Sequence, residues 1–143
     1  MVIKKSGSAH WTGGLKDGMG EISSESGALN AHPYGFKTRF EGVKGTNPEE
    51  LIGAAHAACF TMALSLILGD AGLTATSLDT KAVVSLDKVG DGFAITAIEL
   101  NLSGTVPNAD EARFTELANK AKEGCPVSKA LATVPISLNV TFS

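Results

Sequence analysis

Apolar positions crowd one stretch of the chain. Across 51–68 no residue is charged, and the polar ones, His56, Thr61 and Ser65, do not gather on one broad face. The surrounding segment, TNPEELIGAAHAACFTMALSLILGDAG at 46–72, predicts a single long helix. Asn47 can cap it, Pro48 suits its first turn, and Glu50 sits where its carboxylate can reach back to the cap. Gly69, Asp70 and Gly72 offer a stop, which gives about 22 to 24 residues and roughly 35 Å of helix. A helix apolar nearly all round must be covered on all sides. The length just reaches that of a membrane span. Its Ala-rich composition, the acidic residues at both ends and the lack of a Lys/Arg cluster on either side argue instead for a buried helix and no membrane partner. A chain of 143 residues has limited material to wrap it, so a dimer that shares the covering is expected.

Elsewhere the pattern alternates. VIKKSGSAHWTG at 2–13 and MGEISSE at 19–25 flank a turn at Lys16-Asp17-Gly18 and read as a hairpin. HPYGFKTRFEG suits a strand or an irregular loop leading into the long helix. After that helix, DTKAVVSLDKV and FAITAIELNLSGTV flank Gly90-Asp91-Gly92, a second hairpin. Asn108 or Asp110 can start a helix through Glu123, with Phe114, Leu117, Ala118 and Ala121 on one face and Gly124 as its stop. Pro126 then opens a short helix with Cys125 at its N-terminus, and VPISLNVTFS alternates as a final strand. The order β-β-β, long α, β-β, α, short α, β, with strands adjacent in antiparallel hairpins, predicts an α+β fold. No linker or repeat interrupts it, so residues 1–143 read as a single domain.

Composition narrows the partners. The net charge is −3 and no basic run exceeds Lys4-Lys5, so the footprint of a nucleic-acid binder is absent. The N-terminus lacks the apolar core of a signal peptide, which makes a cytoplasmic location the expectation. In a reducing compartment the two cysteines, Cys59 and Cys125, are poor candidates for a structural staple, while redox or nucleophilic work stays open. With three scattered histidines they form no compact zinc pattern.

Cys59 lies in the middle of the apolar helix, where it is either an inert packed residue or a reactive thiol. Burial alone would raise its pKa, so reactivity needs a nearby cation or strong donors. His56, one turn earlier, is the local candidate and would make a Cys/His pair suited to acyl transfer or hydrolysis. It can equally be a satisfied core group. Arg39, placed just before the helix, stays charged when desolvated and is the better thiolate partner, or else a plain surface charge. Cys125 either fills space at a helix end or serves as a second redox thiol, because the helix N-terminus favours its thiolate. Glu49 and Glu50 suit a first helical turn whatever else they do. Phe36, Phe60, Met62 and Leu64 are core residues by default, and together could line an apolar pocket.

NPEELIGAAHAACF, followed about 65 residues later by GCPVS, closely resembles the OsmC/Ohr family of osmotically inducible and organic hydroperoxide resistance proteins. ESGALNAHPYGFKTRFEGVKGTNPEELIGAAHAACF and SLDKVGDGFAIT resemble the OsmC branch in particular, and the likeness runs essentially end to end. The resemblance implies a peroxidase that reduces organic hydroperoxides in oxidative and osmotic stress. It implies an intertwined homodimer in which antiparallel sheets wrap two long central helices. Carried over by position, Cys59 would be the peroxidatic thiol, Cys125 the resolving one, and Arg39 and Glu49 the activating pair. Electrons would come from a dithiol such as a lipoyl group, with no metal or cofactor. Three rivals stand beside this reading: a redox sensor that uses the same thiols without turnover, a Cys59/His56 hydrolase, and a non-catalytic dimer that binds an apolar ligand.

Overall fold

The computed structural model describes residues 1–143, which form two compact units, Met1–Leu51 and Ile52–Ser143. In the first, β1 (Gly7–Thr12), β2 (Met19–Ser24) and β3 (His32–Tyr34) make an antiparallel sheet in that order. The expected hairpin is present, with shorter strands than the alternation suggested. Gly20 of β2 pairs with Trp11 on one side and Tyr34 on the other. A Cβ there would run into both rings, so only glycine lets Trp11 and Tyr34 meet edge to face across it, 5.5 Å between centroids.

The segment expected to be strand or irregular loop holds β3 and then a short helix, α1 (Phe36–Phe40). Local hydrogen bonding makes it helical. The Gly35 N–H donates to Thr38 Oγ1 at 3.0 Å, and the same hydroxyl lies 3.0 Å from the Gly35 carbonyl, so one threonine closes the first turn. Five residues are too few to show a helical period in the sequence. The long helix α2 (Pro48–Asp70) then starts as its cap predicts, with Asn47 Oδ1 accepting from the Glu50 N–H at 2.8 Å.

The second unit holds most of α2, then β4 (Ser77–Val89), β5 (Gly92–Thr105), α3 (Glu111–Gly124), α4 (Pro126–Ala130) and β6 (Ile136–Phe142). β4 and β5 form the expected hairpin, with a register shift between Ser85 and Leu86. β6 is not antiparallel to its neighbour. It runs parallel to β5, from Ile98↔Ile136 to Gly104↔Phe142, which corrects the expectation of purely antiparallel strands. The cause lies in α3 and α4, which together supply the long crossover that a parallel pair requires.

Strand β5 is central, and its alternate residues Ile98, Leu100 and Leu102 face the core. Against them pack Phe60, Leu64 and Leu68 of α2 and Phe114, Leu117, Ala118 and Ala121 of α3. The α3 face is the one its spacing predicts, and Asp110 caps it by accepting from the Arg113 N–H at 2.8 Å. Only one side of α2 is covered. Ala54, Ala58, Met62 and Leu66 form an exposed stripe on the other, with Met62 76% and Leu66 66% exposed. The helix is long and apolar enough to cross a membrane, and 28% of its most apolar window is buried within the chain.

Candidate active site

The packing of α2 against the α3–α4 corner joins the two thiols. Cys125 follows the end of α3, where its N–H donates to the Ala121 carbonyl at 2.9 Å, and Pro126 at once starts α4. This makes Cys125 the residue that caps α4, and its sulfur accepts from the Ser128 N–H at 3.5 Å. The side chain is wholly buried and points at α2, with Cys125 Sγ 2.9 Å from the half-buried Cys59 Sγ. A disulfide would need ~2.05 Å, so the pair is reduced and hydrogen-bonded, one sulfur short of the other by less than an ångström.

The two thiols titrate against each other. Burial pushes Cys59 above the ordinary thiol range, and its hydrogen bond to Cys125 adds to this, while a backbone hydrogen bond from Val127 opposes it. Burial acts on Cys125 in the same direction, but hydrogen bonds from Cys59, from the Ser128 backbone and hydroxyl and from the Val127 backbone outweigh it, so Cys125 lies below the ordinary range. Two thiols this close carry one negative charge between them at a time. Ionising Cys59 first takes a cation beside it.

His56, one turn before Cys59, does not turn to that thiol. It is 0% exposed, and its Nε2 lies 2.8 Å from the hydroxyl of Ser128, itself 4% exposed. This removes the contact that a Cys59/His56 hydrolase requires. Ser128 gave no signal in the sequence beyond standing three residues after Cys125, the spacing at which a cap meets its donor. His56 Nδ1 is buried without a hydrogen-bond partner. Burial holds the imidazole below its usual pKa. The unfolded chain thus gains a proton near pH ~6.5 before the folded one does, and stability falls as pH drops through that value. In denaturant unfolding at pH 7.5 and 5.5, wild type should lose more stability than His56→Gln. Equal losses would show that His56 folds with an unshifted imidazole.

In the first unit, Arg39 of α1 and Glu49 in the first turn of α2 form a fork. Arg39 Nε donates to Glu49 Oε1 at 2.8 Å and Nη2 to Oε2 at 3.1 Å. Glu49 is 8% exposed, so this two-point pairing satisfies a buried carboxylate and fixes the guanidinium plane. Glu49 is thus more than a first-turn charge, and Arg39 is no free surface cation. The Arg39 guanidinium also lies 5.4 Å from the centre of the Phe40 ring, and with Trp11, Tyr34, Phe36 and Phe40 it lines a cavity of about 200 Å³. Of the four residues offered for an apolar pocket, Phe36 lines this one. Phe60 and Leu64 are core, and Met62 is exposed.

Residues 41–140 match the family described as OsmC-like protein. The chain belongs to that family. It is 64% identical over 131 residues, 92% of each chain, to "Peroxiredoxin OsmC" of Escherichia coli (strain K12). It is 35% identical over 113 residues, 78% of this chain and 80% of the other, to "Organic hydroperoxide resistance protein OhrB" of Bacillus subtilis (strain 168). The crystal structure of OhrB of Bacillus subtilis superposes with a TM-score of 0.71 at 31% identity, covering 95% of this chain and 98% of that one. An OsmC protein of Legionella pneumophila, at 24% identity and a TM-score of 0.75, covers 99% of this chain and 98% of its own and shares the fold. The α+β fold is thus shared with these relatives.

Proposed function

We propose that this chain is a cysteine-based peroxidase that reduces organic hydroperoxides to alcohols in oxidative and osmotic stress defence. The observation that carries the reading is the 2.9 Å approach of Cys59 Sγ to Cys125 Sγ, with both thiols free. The names of its relatives support the substrate class. Cys59 thiolate attacks the distal peroxide oxygen, the O–O bond breaks, and the alkoxide leaves as an alcohol after protonation. Cys59 becomes a sulfenic acid. Cys125 then attacks its sulfur, forming the Cys59–Cys125 disulfide and releasing water. A dithiol, such as a lipoyl group, takes the disulfide back to two thiols and is itself oxidised.

Arg39 is the cation that this scheme assigns to Cys59, with Glu49 orienting it. A guanidinium held at Nε and Nη2 by a carboxylate keeps Nη1 to present to a thiolate and then to the departing alkoxide. The aromatic cavity beside Arg39 supports alkyl or aryl substrates, since hydrogen peroxide gains nothing from apolar burial. A homodimer in the cytoplasm, acting as one domain per chain, completes the reading. The exposed apolar stripe of α2 supports a second copy as its cover.

The test is steady-state turnover with dihydrolipoamide as reductant. Wild type should consume cumene hydroperoxide with a kcat/KM at least ~100-fold above that for hydrogen peroxide, the gain a buried apolar substituent can supply. Cys125→Ser should complete one reduction and then accumulate sulfenic or overoxidised Cys59, read by mass spectrometry. Formation of the disulfide without turnover would make the protein a redox sensor instead. Equal use of both peroxides would remove the organic substrate class.

A further inference from the structure

Four side chains lie in one continuous row: His56, Ser128, Cys125 and Cys59. His56 Nε2 is 2.8 Å from Ser128 Oγ, the Ser128 N–H donates to the Cys125 sulfur at 3.5 Å, which sets the hydroxyl of the same residue beside that sulfur, and the sulfur is 2.9 Å from Cys59 Sγ. His56 and Cys125 are fully buried and Ser128 nearly so. A hydroxyl placed between an imidazole and a thiol can hand a proton either way, because it donates to one while it accepts from the other. The unpartnered Nδ1 of His56 ties neither ring nitrogen to a fixed tautomer.

We propose that His56, acting through the Ser128 hydroxyl, is the proton acceptor for Cys125 when it resolves the Cys59 sulfenic acid. This rests on the peroxidase reading above. The need for an acceptor follows from the sulfur pair. Two sulfurs 2.9 Å apart do not both ionise, so while Cys59 is held as the attacking thiolate Cys125 keeps its proton. Cys125 must lose that proton to become the second nucleophile. Bulk water does not reach a thiol that is 0% exposed. In the relay, the Cys125 S–H proton passes to Ser128 Oγ as the Ser128 hydroxyl proton passes to His56 Nε2. The Cys125 sulfur attacks the Cys59 sulfur, the S–O bond breaks, and hydroxide leaves. The hydroxide leaves on the half-buried Cys59 side and takes a proton from water there, and the imidazolium returns its proton to solvent by way of Ser128 Oγ, which restores neutral imidazole. The balance is Cys59–SOH plus Cys125–SH giving the disulfide and one water.

Burial keeps the imidazole neutral at pH 7 and able to accept, with no charged side chain contributing to its shift. The titratable groups facing it through Ser128 are the two thiols. Lys122, Glu123 and Lys129 line the outer depression that Ser128 shares. Of these, Lys122 and Glu123 belong to α3 and Lys129 to α4.

The test is rapid mixing of the reduced full-length protein with one equivalent of cumene hydroperoxide between pH 5 and 8. Sulfenic acid is trapped with a cyclic dione, and disulfide is counted by mass spectrometry after quenching. In Ser128→Ala and in His56→Gln the disulfide step should slow roughly tenfold to a hundredfold, the low end of general-base effects, with sulfenic acid persisting. Wild type should lose rate as pH falls and the imidazole becomes protonated, and that inflection should vanish in His56→Gln. Ser128→Thr, which keeps the hydroxyl, should recover most of the rate. A disulfide step in Ser128→Ala and His56→Gln that matches wild type in rate and pH profile overturns the relay and leaves the peroxidase reading standing. So does a Ser128→Thr variant as slow as Ser128→Ala. A wild type that forms neither sulfenic acid nor disulfide overturns the peroxidase reading, and the relay with it.

Discussion

Cys59→Ser is expected to remove hydroperoxide turnover, a loss of at least ~1000-fold, while leaving the protein folded. The oxygen of serine carries a proton through the whole working pH range, whereas a thiol beside a guanidinium can be held as an anion, and only the anion attacks the O–O bond. Sulfenic acid chemistry is closed to serine altogether. The structural cost is small because serine is nearly isosteric with cysteine and Cys59 is only half-buried at the edge of the core. Stability should therefore stay within about 1 kcal/mol of wild type, and circular dichroism and thermal melting check it. Cysteine-dependent turnover that survives in the folded variant would move the nucleophile elsewhere, with Cys125 the next candidate.

How much of this was legible beforehand differs from element to element, for physical reasons. The start of α2 and the buried face of α3 were readable because caps and helical spacing are local, and Asn47, Asp110, Phe114 and Leu117 all behave as their positions dictate. The direction of β6 was not readable, because alternation fixes which residues face the core but not which way the strand runs. Nor did α2 disclose its covered side. It is apolar nearly all round, so only the structure separates the Phe60, Leu64 and Leu68 edge from the bare Met62 and Leu66 edge. Proximity within the site was the least legible. The 66 residues between Cys59 and Cys125 close only through the crossover of α3 and α4, and the resemblance to the family, not any spacing, suggested the pair. Ser128 was invisible until the fold set its hydroxyl beside His56.

A mixed dimer of a Cys59→Ser chain and a Glu49→Gln chain should regain activity that both parent homodimers lack. Glu49 and Cys59 stand ten residues apart on the continuous helix α2. That separates them by ~15 Å along its axis and roughly 80° around it, so their side chains do not meet within one chain. Arg39 is gripped at Nε and Nη2 by the Glu49 carboxylate of its own chain. We propose that Arg39 and Glu49 act as one unit and serve the Cys59 of a second copy, a site shared between two chains. Losing Glu49 frees the guanidinium plane and leaves Cys59 to the burial that raises its pKa, so Glu49→Gln homodimers should be nearly inactive. In the mixed dimer, the Cys59→Ser chain still carries an intact Arg39–Glu49 pair, and the Glu49→Gln chain still carries Cys59 and Cys125. Together they make one whole site out of two, so activity should return to about half that of the wild-type dimer. Differently tagged chains, purified as verified heterodimers and assayed before they can exchange, provide the measurement. Verified heterodimers as inactive as their parents would place Arg39, Glu49 and Cys59 in one chain's site, and a fully active monomer would do so outright.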